Sequence, residues 1–322
     1  LLKQAKRAFK LAIKYMKILI IRFSSIGDIV LTTPVMRCLH EQLGAEVHFL
    51  TKKPFAPIVQ HNPHVHKVWF FEQNVAEILP LLRGENFNVI IDLHKNLRSW
   101  RVLWALRNVQ SYSFQKLNLE KWLLVNLKIN KMPRVHIVER YLKTLERLGV
   151  WNDSKRLEYF IPSKDEIDIK NLSENKFSAE NFVVFVIGAA HATKRLPEAK
   201  IIAFCQKIPL PVVLLGGKDE AAQGEYIAAE AGAHVYNFCG KLNLNQSASV
   251  VRQAHTVVTH DTGLMHIAAA FGKRIISIWG CTVPAFGMYP YLPNPNNKIL
   301  EINDLSCRPC SKIGFEKCPK GH

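Results

Sequence analysis

The chain has 322 residues, 48% hydrophobic and 21% charged; at roughly twice the usual domain size it predicts two globular domains and excludes a disordered or fibrous polymer. No stretch offers the roughly 18 consecutive apolar residues of a membrane span, and seven cysteines are too few and too unevenly placed for a disulfide scaffold, which points to a reducing cytoplasm. The formal charge of +17 predicts an anionic partner: nucleic acid, an anionic membrane surface or a phosphorylated substrate.

In chain order, residues 1–16 come first as a basic amphipathic segment. Lys3, Lys6, Arg7, Lys10 and Lys14 alternate with Leu2, Ala5, Phe9, Ile13 and Met16 at helical spacing, which suits either docking on a membrane surface or an ordinary packed helix. It lacks the apolar core and cleavage site of a secretory signal. Short β-branched runs follow at 17–23, 46–51, 67–71 and 88–94, and again at 182–188, 211–217, 234–238, 256–261 and 274–280. Alternating with helical patterns, they predict two doubly wound α/β domains with parallel sheets. A helix closed by Gly149 is expected over 138–149, and the polar stretch 151–180 reads as a linker. The expected organisation is therefore a first Rossmann-like domain over 17–150, the linker over 151–180, a second Rossmann-like domain over 181–306, and a cysteine-rich tail over 307–322.

Ligands of open α/β sheets lie beyond the carboxyl ends of the strands, so two such domains facing across a cleft would present their loops to it. After the first strand, Ser24, Ser25 and Gly27 give a tight turn and Asp28 follows at a helix start. Its carboxylate either enters the cleft or merely complements the helix dipole. Pro34 suits a kink or the first turn of a further helix. In IIDLHKNLRSWRVLWALR, the residues His94, Lys95, Arg98 and Arg101 form a basic group suited to an anionic acceptor, or else a solvated helix face. In the second half, GAAHATKRLPE brings Thr193 and Lys194 just before Pro197, a natural helix opener. In LLGGKDE, Asp219 or Glu220 could accept ribose hydroxyls or cap a helix. In HDTGLMHIAAAFG, Asp261 leaves a strand, Thr262 caps the next helix, and the amides of Thr262, Gly263 and Leu264 make an anion site; His266 lies one turn on, as a ligand contact or a buried core histidine.

Together RFSSIGDIVLTTPVMRCLHE, VIIDLHKNLRS, GAAHATKRLPE, LLGGKDE and HDTGLMHIAAAFGKRIISIWG resemble the ADP-heptose:lipopolysaccharide heptosyltransferase family, in the same order over about residues 17 to 322. The resemblance implies a GT-B fold, an ADP-sugar donor held mainly by the second domain, and a lipid-linked core oligosaccharide acceptor held mainly by the first. It implies inversion at the anomeric carbon with no required metal or other cofactor, the ADP-sugar being a substrate. Asp28 matches the family's general base and Lys194 its phosphate-neutralising lysine. The donor set it implies is Ser25, Gly27, Thr193, Lys194, Asp219, Asp261, Thr262, Gly263, Leu264 and His266. Leu196 stands where many relatives have tryptophan. The place of action implied is the cytoplasm, peripheral on the inner face of the inner membrane.

Other classes fit less well. No GxGxxG follows either leading strand, against a dinucleotide-dependent oxidoreductase, and no recognised nucleic-acid motif occurs, against a nucleic-acid partner. In the tail, Cys307, Cys310, Cys318 and His322 could form a structural zinc site, a disulfide or reactive thiol pair, or reduced packing cysteines.

Overall fold

The computed structural model describes residues 16–174 and 176–321. The basic segment over 1–16 therefore lies, but for Met16, outside the described residues, as does His322 of the tail. Two compact units account for the chain: residues 16–116 with 137–160, and residues 117–136 with 161–321.

The first unit runs β1 (Lys17–Ile21), α1 (Ile26–Val30), α2 (Thr33–Leu43), β2 (Glu46–Lys52), β3 (Lys67–Phe71), α3 (Leu79–Gly84), β4 (Val89–Asp92), α4 (Leu97–Ala105) and β5 (Gln110–Ser113). Its five strands lie in the order β3-β2-β1-β4-β5, every neighbouring pair parallel. Ile18, Leu19, Ile20 and Ile21 are wholly buried, as a strand covered on both faces requires, which is why β1 reads as an unbroken apolar run. Leu82 of α3 with Val102 and Leu106 at the end of α4 close one face of this sheet over Leu19, Ile21 and Ile90. Pro34 takes its place in the first turn of α2, and Gly44 ends that helix in the left-handed region at φ 63°, a conformation nearly free of cost only for glycine.

The chain then contributes α5 (Asn118–Trp122) to the second unit and returns with α6 (Ile137–Leu142). The helix expected over 138–149 is α-helical only in that first part. Residues Lys143–Leu148 tighten to 3-10 geometry before Gly149, at φ 70°, ends the turn. Residues 151–160 pack within the first unit, where buried Arg37 is bound by Asp153 and by the carbonyls of Lys155 and Arg156.

The second unit continues through α7 (Ile169–Leu172), β6 (Val183–Val186), α8 (Glu198–Lys207), β7 (Val212–Leu215), α9 (Ala221–Ala231), β8 (Val235–Asn237), α10 (Leu244–Gln253), β9 (Thr256–His260), α11 (Gly263–Ala270), β10 (Arg274–Trp279) and β11 (Lys298–Glu301). Its parallel sheet has the order β11-β10-β9-β6-β7-β8, the doubly wound pattern in which the first strand lies beside the fourth. Strand order therefore reverses between β1 and β4 in one unit and between β6 and β9 in the other. The loops that leave these four strands are where each fold places a ligand.

Candidate active site

Asp28 lies in the first turn of α1, just after the loop that leaves β1. Its Oδ1 lies 2.6 Å from an Arg22 guanidinium nitrogen. Its Oδ2 accepts from the Ser25 hydroxyl at 2.8 Å and the Ser25 amide at 3.2 Å. The carboxylate thus does cap its own turn, yet it also carries a dedicated counter-charge. Arg22 is fixed in turn: it donates to Ser24 O at 2.8 Å, to Leu93 O and to the Tyr141 hydroxyl at 3.1 Å. Burial opposes its charge, but Asp28, Tyr141 and Asp92 outweigh that and raise its pKa. A cation directly after the first strand is visible in the sequence, but only the fold shows that it serves Asp28.

The loop leaving β4 meets the same place. Asp92 Oδ1 accepts from the amides of His94 (2.9 Å) and Lys95 (2.8 Å), and its Oδ2 from Ser99 Oγ at 2.8 Å. Asp92 therefore ties strand to helix and is used up structurally. His94 is buried, its ring 4.7 Å from that of Phe23. Burial, with Arg22, Lys116 and Arg98 nearby, pushes it down to about 3, so it is a neutral imidazole at physiological pH. Lys95 turns back to donate to Phe114 O at 3.1 Å. Arg98 is half-buried and Arg101 exposed on α4.

In the second unit three strand ends converge. Lys194 reaches the Asp261 carboxylate at 2.6 Å and its carbonyl at 3.3 Å, while Thr282 after β10 donates to the same carboxylate at 3.0 Å. Asp261 immediately precedes Thr262, the extended N-cap of α11. The ammonium of Lys194 is thus bound to the residue that leads into the open amides of a helix start. Gly263 and Leu264 are half-buried, and His266 is buried.

Two supports of this loop escaped the sequence reading. His260 Nε2 accepts from the Leu196 amide at 2.8 Å, so the ring holds the backbone two residues past Lys194. The tail supplies the other: Thr193 N donates to Phe315 O at 3.1 Å, and Phe315 N to Thr193 Oγ1 at 2.8 Å. A Cβ on Gly280 would stand 2.4 Å from Thr193 O, so glycine is required where β10 approaches the loop. The Asp219 and Glu220 alternatives separate clearly. Glu220 is buried, accepting from Gly217 N at 2.8 Å and pairing with Arg195 at 3.0 Å; Asp219 is exposed and faces solvent.

Cys310 lies in the tail with its amide donating to Cys281 O at 2.9 Å, and His322 falls outside the described residues. Among the described residues the ligand atoms gathered within 4.8 Å of one another are those of Glu46, His48 and His66. That group is a poor metal site. Trp69 donates its indole N–H to His48 Nδ1 at 3.0 Å, which leaves the ring's proton on Nε2 and no lone pair there for a metal.

Two parallel doubly wound units, each with charged loops at its switch point, are the parts of the GT-B fold. The family model for "Glycosyltransferase family 9 (heptosyltransferase)" matches residues 76–317, and the chain belongs to that family. It is 24% identical over 290 residues to lipopolysaccharide heptosyltransferase 1 of Campylobacter coli, covering 83% of this chain and 84% of the relative. A family 9 glycosyltransferase of Veillonella parvula superposes with TM-score 0.74 at 18% identity, covering 90% of this chain and 88% of that one. The Escherichia coli ADP-heptose lps heptosyltransferase II gives TM-score 0.67 at 21% identity, covering 90% and 91%. The protein is thus a transferase with the GT-B fold that the sequence implied.

Proposed function

We propose that this family 9 glycosyltransferase moves a heptose from ADP-heptose to the inner core of lipopolysaccharide, inverting the anomeric centre. The observation that carries the donor side is the Lys194–Asp261 pair at the start of α11, 2.6 Å apart. A diphosphate bound at the opening amides of α11 would share Lys194 with that carboxylate, and Thr262, Gly263, Leu264 and His266 would line it. Asp219 would take the ribose hydroxyls.

On the acceptor side, Asp28 is the base. As the acceptor hydroxyl oxygen bonds to the anomeric carbon, its proton passes to the Asp28 carboxylate. The bond from that carbon to the phosphate oxygen breaks, and its electron pair leaves with ADP. Lys194 and the helix amides compensate the charge that develops on the leaving diphosphate, so the scheme assigns no step to a metal. Arg22 positions Asp28, Ser25 and Gly27 shape its turn, and Thr193 holds the Lys194 loop. Lys95, Arg98 and Arg101 make the surround of Asp28 electropositive, as a phosphorylated core acceptor requires, and neutral His94 offers the acceptor a hydrogen-bonding imidazole beside them. Because that acceptor is lipid-linked, the enzyme acts in the cytoplasm at the inner face of the inner membrane.

A second reading, another nucleotide sugar or another envelope glycan, is favoured by Leu196, which packs partly buried against the core of the second unit where many relatives have tryptophan. Incubation with ADP-heptose and heptose-free lipid-linked core tests both. The expected result is a product heavier by one heptose with release of ADP. Transfer from a different nucleotide sugar, with none from ADP-heptose, would replace the first reading by the second.

A further inference from the structure

Helix α4 has two apolar faces. One is the ordinary kind: Ser99 and Val102 on the helix and Leu106 at its end are buried against the first unit's core. The other faces water. Leu97 is 82% exposed, Trp100 59% and Trp104 58%, and their spacing of three and four residues sets them in one ridge opposite the core. A surface helix of a soluble protein carries charge on that side; a contiguous ridge with two tryptophans marks an interaction surface.

The surroundings of the ridge identify what it meets. From Lys95 to Arg107 the sequence has four cations, Lys95, Arg98, Arg101 and Arg107, and no carboxylate. Arg107 lies over the Trp104 ring, 6.0 Å from its centre. Beside Trp104 opens a groove of about 540 Å³ whose polar lining includes Arg83, Arg107, Asn86 and Asn108. Indole rings with a polar N–H, guanidinium groups around them and no carboxylate along the helix match a bilayer interface, where rings sit at headgroup level and cations meet lipid phosphates. A protein partner would ask for mixed charge, and nucleic acid would not reward the exposed Leu97.

We propose that α4 docks this protein on an anionic lipid bilayer, with Leu97, Trp100 and Trp104 entering the interface and Arg83 and Arg107 receiving lipid phosphates in the groove. The inference deepens the membrane placement proposed above and rests on it, but its test needs neither donor nor acceptor, so it does not depend on the proposed transfer.

The test uses the full chain and vesicles of phosphatidylglycerol and phosphatidylethanolamine with brominated acyl chains. Tryptophan fluorescence of the wild type should be quenched, and the quenching should disappear in the Trp100→Phe/Trp104→Phe variant while flotation persists. Trp100→Ser/Trp104→Ser should weaken partitioning roughly tenfold or more. Arg83→Gln/Arg107→Gln should lower it by about fivefold per cation, and pure phosphatidylcholine should bind little of any form. Unchanged ADP affinity in each variant shows that the fold is kept. Quenching that survives the phenylalanine changes overturns the proposal, as does partitioning indifferent to the serine changes. Self-association through Trp100 and Trp104 without vesicle binding would assign the ridge to a second copy and overturn it equally.

Discussion

Arg22, just after β1, and Asp28, in the first turn of α1, form a 2.6 Å ion pair in which the arginine is immobilised by three further bonds. In the proposed mechanism the pair holds the base in place. Asp28→Asn should keep ADP affinity within about twofold and lower turnover roughly 100-fold to 10,000-fold, the range for loss of a general base. Turnover near the wild-type value in a purified, folded variant would remove Asp28 from that role.

In the proposed mechanism Arg22 acts through Asp28. Arg22→Gln should reduce kcat by about tenfold or more while the KM for donor stays within about twofold, because only a transition-state interaction is disturbed. Arg22→Lys keeps the charge but not the bonds to Ser24 and Leu93, so it should restore part of kcat. A variant defect seen only in melting temperature, with normal kcat, would show Arg22 to be structural alone.

Lys194→Ala should raise the KM for donor and lower kcat together, since positive charge at the diphosphate matters before and during departure. Arg at this position should rescue in part. Steady-state kinetics at subsaturating donor decide the matter: wild-type values for the alanine variant would make Lys194 only the partner of Asp261.

Three buried imidazoles should make the fold acid-sensitive. Burial lowers His48 and His260 to about 4 and, with Arg22 and other cations, His94 to about 3. Their unfolded value is about 6.5. Between these values the unfolded chain binds more protons than the folded one, so stability falls as pH drops from about 6.5 toward 4, by up to about 1.4 kcal/mol per pH unit for each group. Protonating His260 would also break its bond to the Leu196 amide. Urea titrations at pH 7.5 and 5 should therefore give a clearly lower stability at pH 5; equal midpoints and slopes would contradict it.

Asp153→Ala should cost about 3 kcal/mol, the lower end for breaking a buried ion pair, because Arg37 remains close to Glu158 at 3.1 Å. Chemical denaturation measures it directly. A loss below about 1 kcal/mol would mean that residues 151–160 contribute little to the first unit.

The buried strands were legible because unbroken runs such as Ile18–Ile21 have no alternative to a covered sheet. Strands β5 and β11 were not: Gln110–Ser113 is polar, and both edge strands are largely exposed, so burial imposes no pattern on their sequence. The strand expected over 88–94 stops at Asp92 because that side chain captures the next amides and turns the chain. Individual charged residues of the loops could be named from their place after strands, but their partnerships could not. His260 with Leu196, and Thr193 with Phe315, join positions that no local spacing relates, Asp28 with Arg22 depends on how β1 passes into α1, and Glu220 differs from Asp219 through burial, with bonds to Gly217 and Arg195.

The bonds between Thr193 and Phe315 span 122 residues of sequence. During synthesis the loop carrying Lys194 emerges long before the segment that clasps it, and β6 to β10 are already out of the ribosome by then. Gly314 completes the clasp at φ 118°, where an added Cβ would stand 2.6 Å from His191 Cβ. The loop of Lys194 thus receives these contacts only after β6 to β10 have been made, so its final shape waits on a segment that follows the last strand of the second sheet.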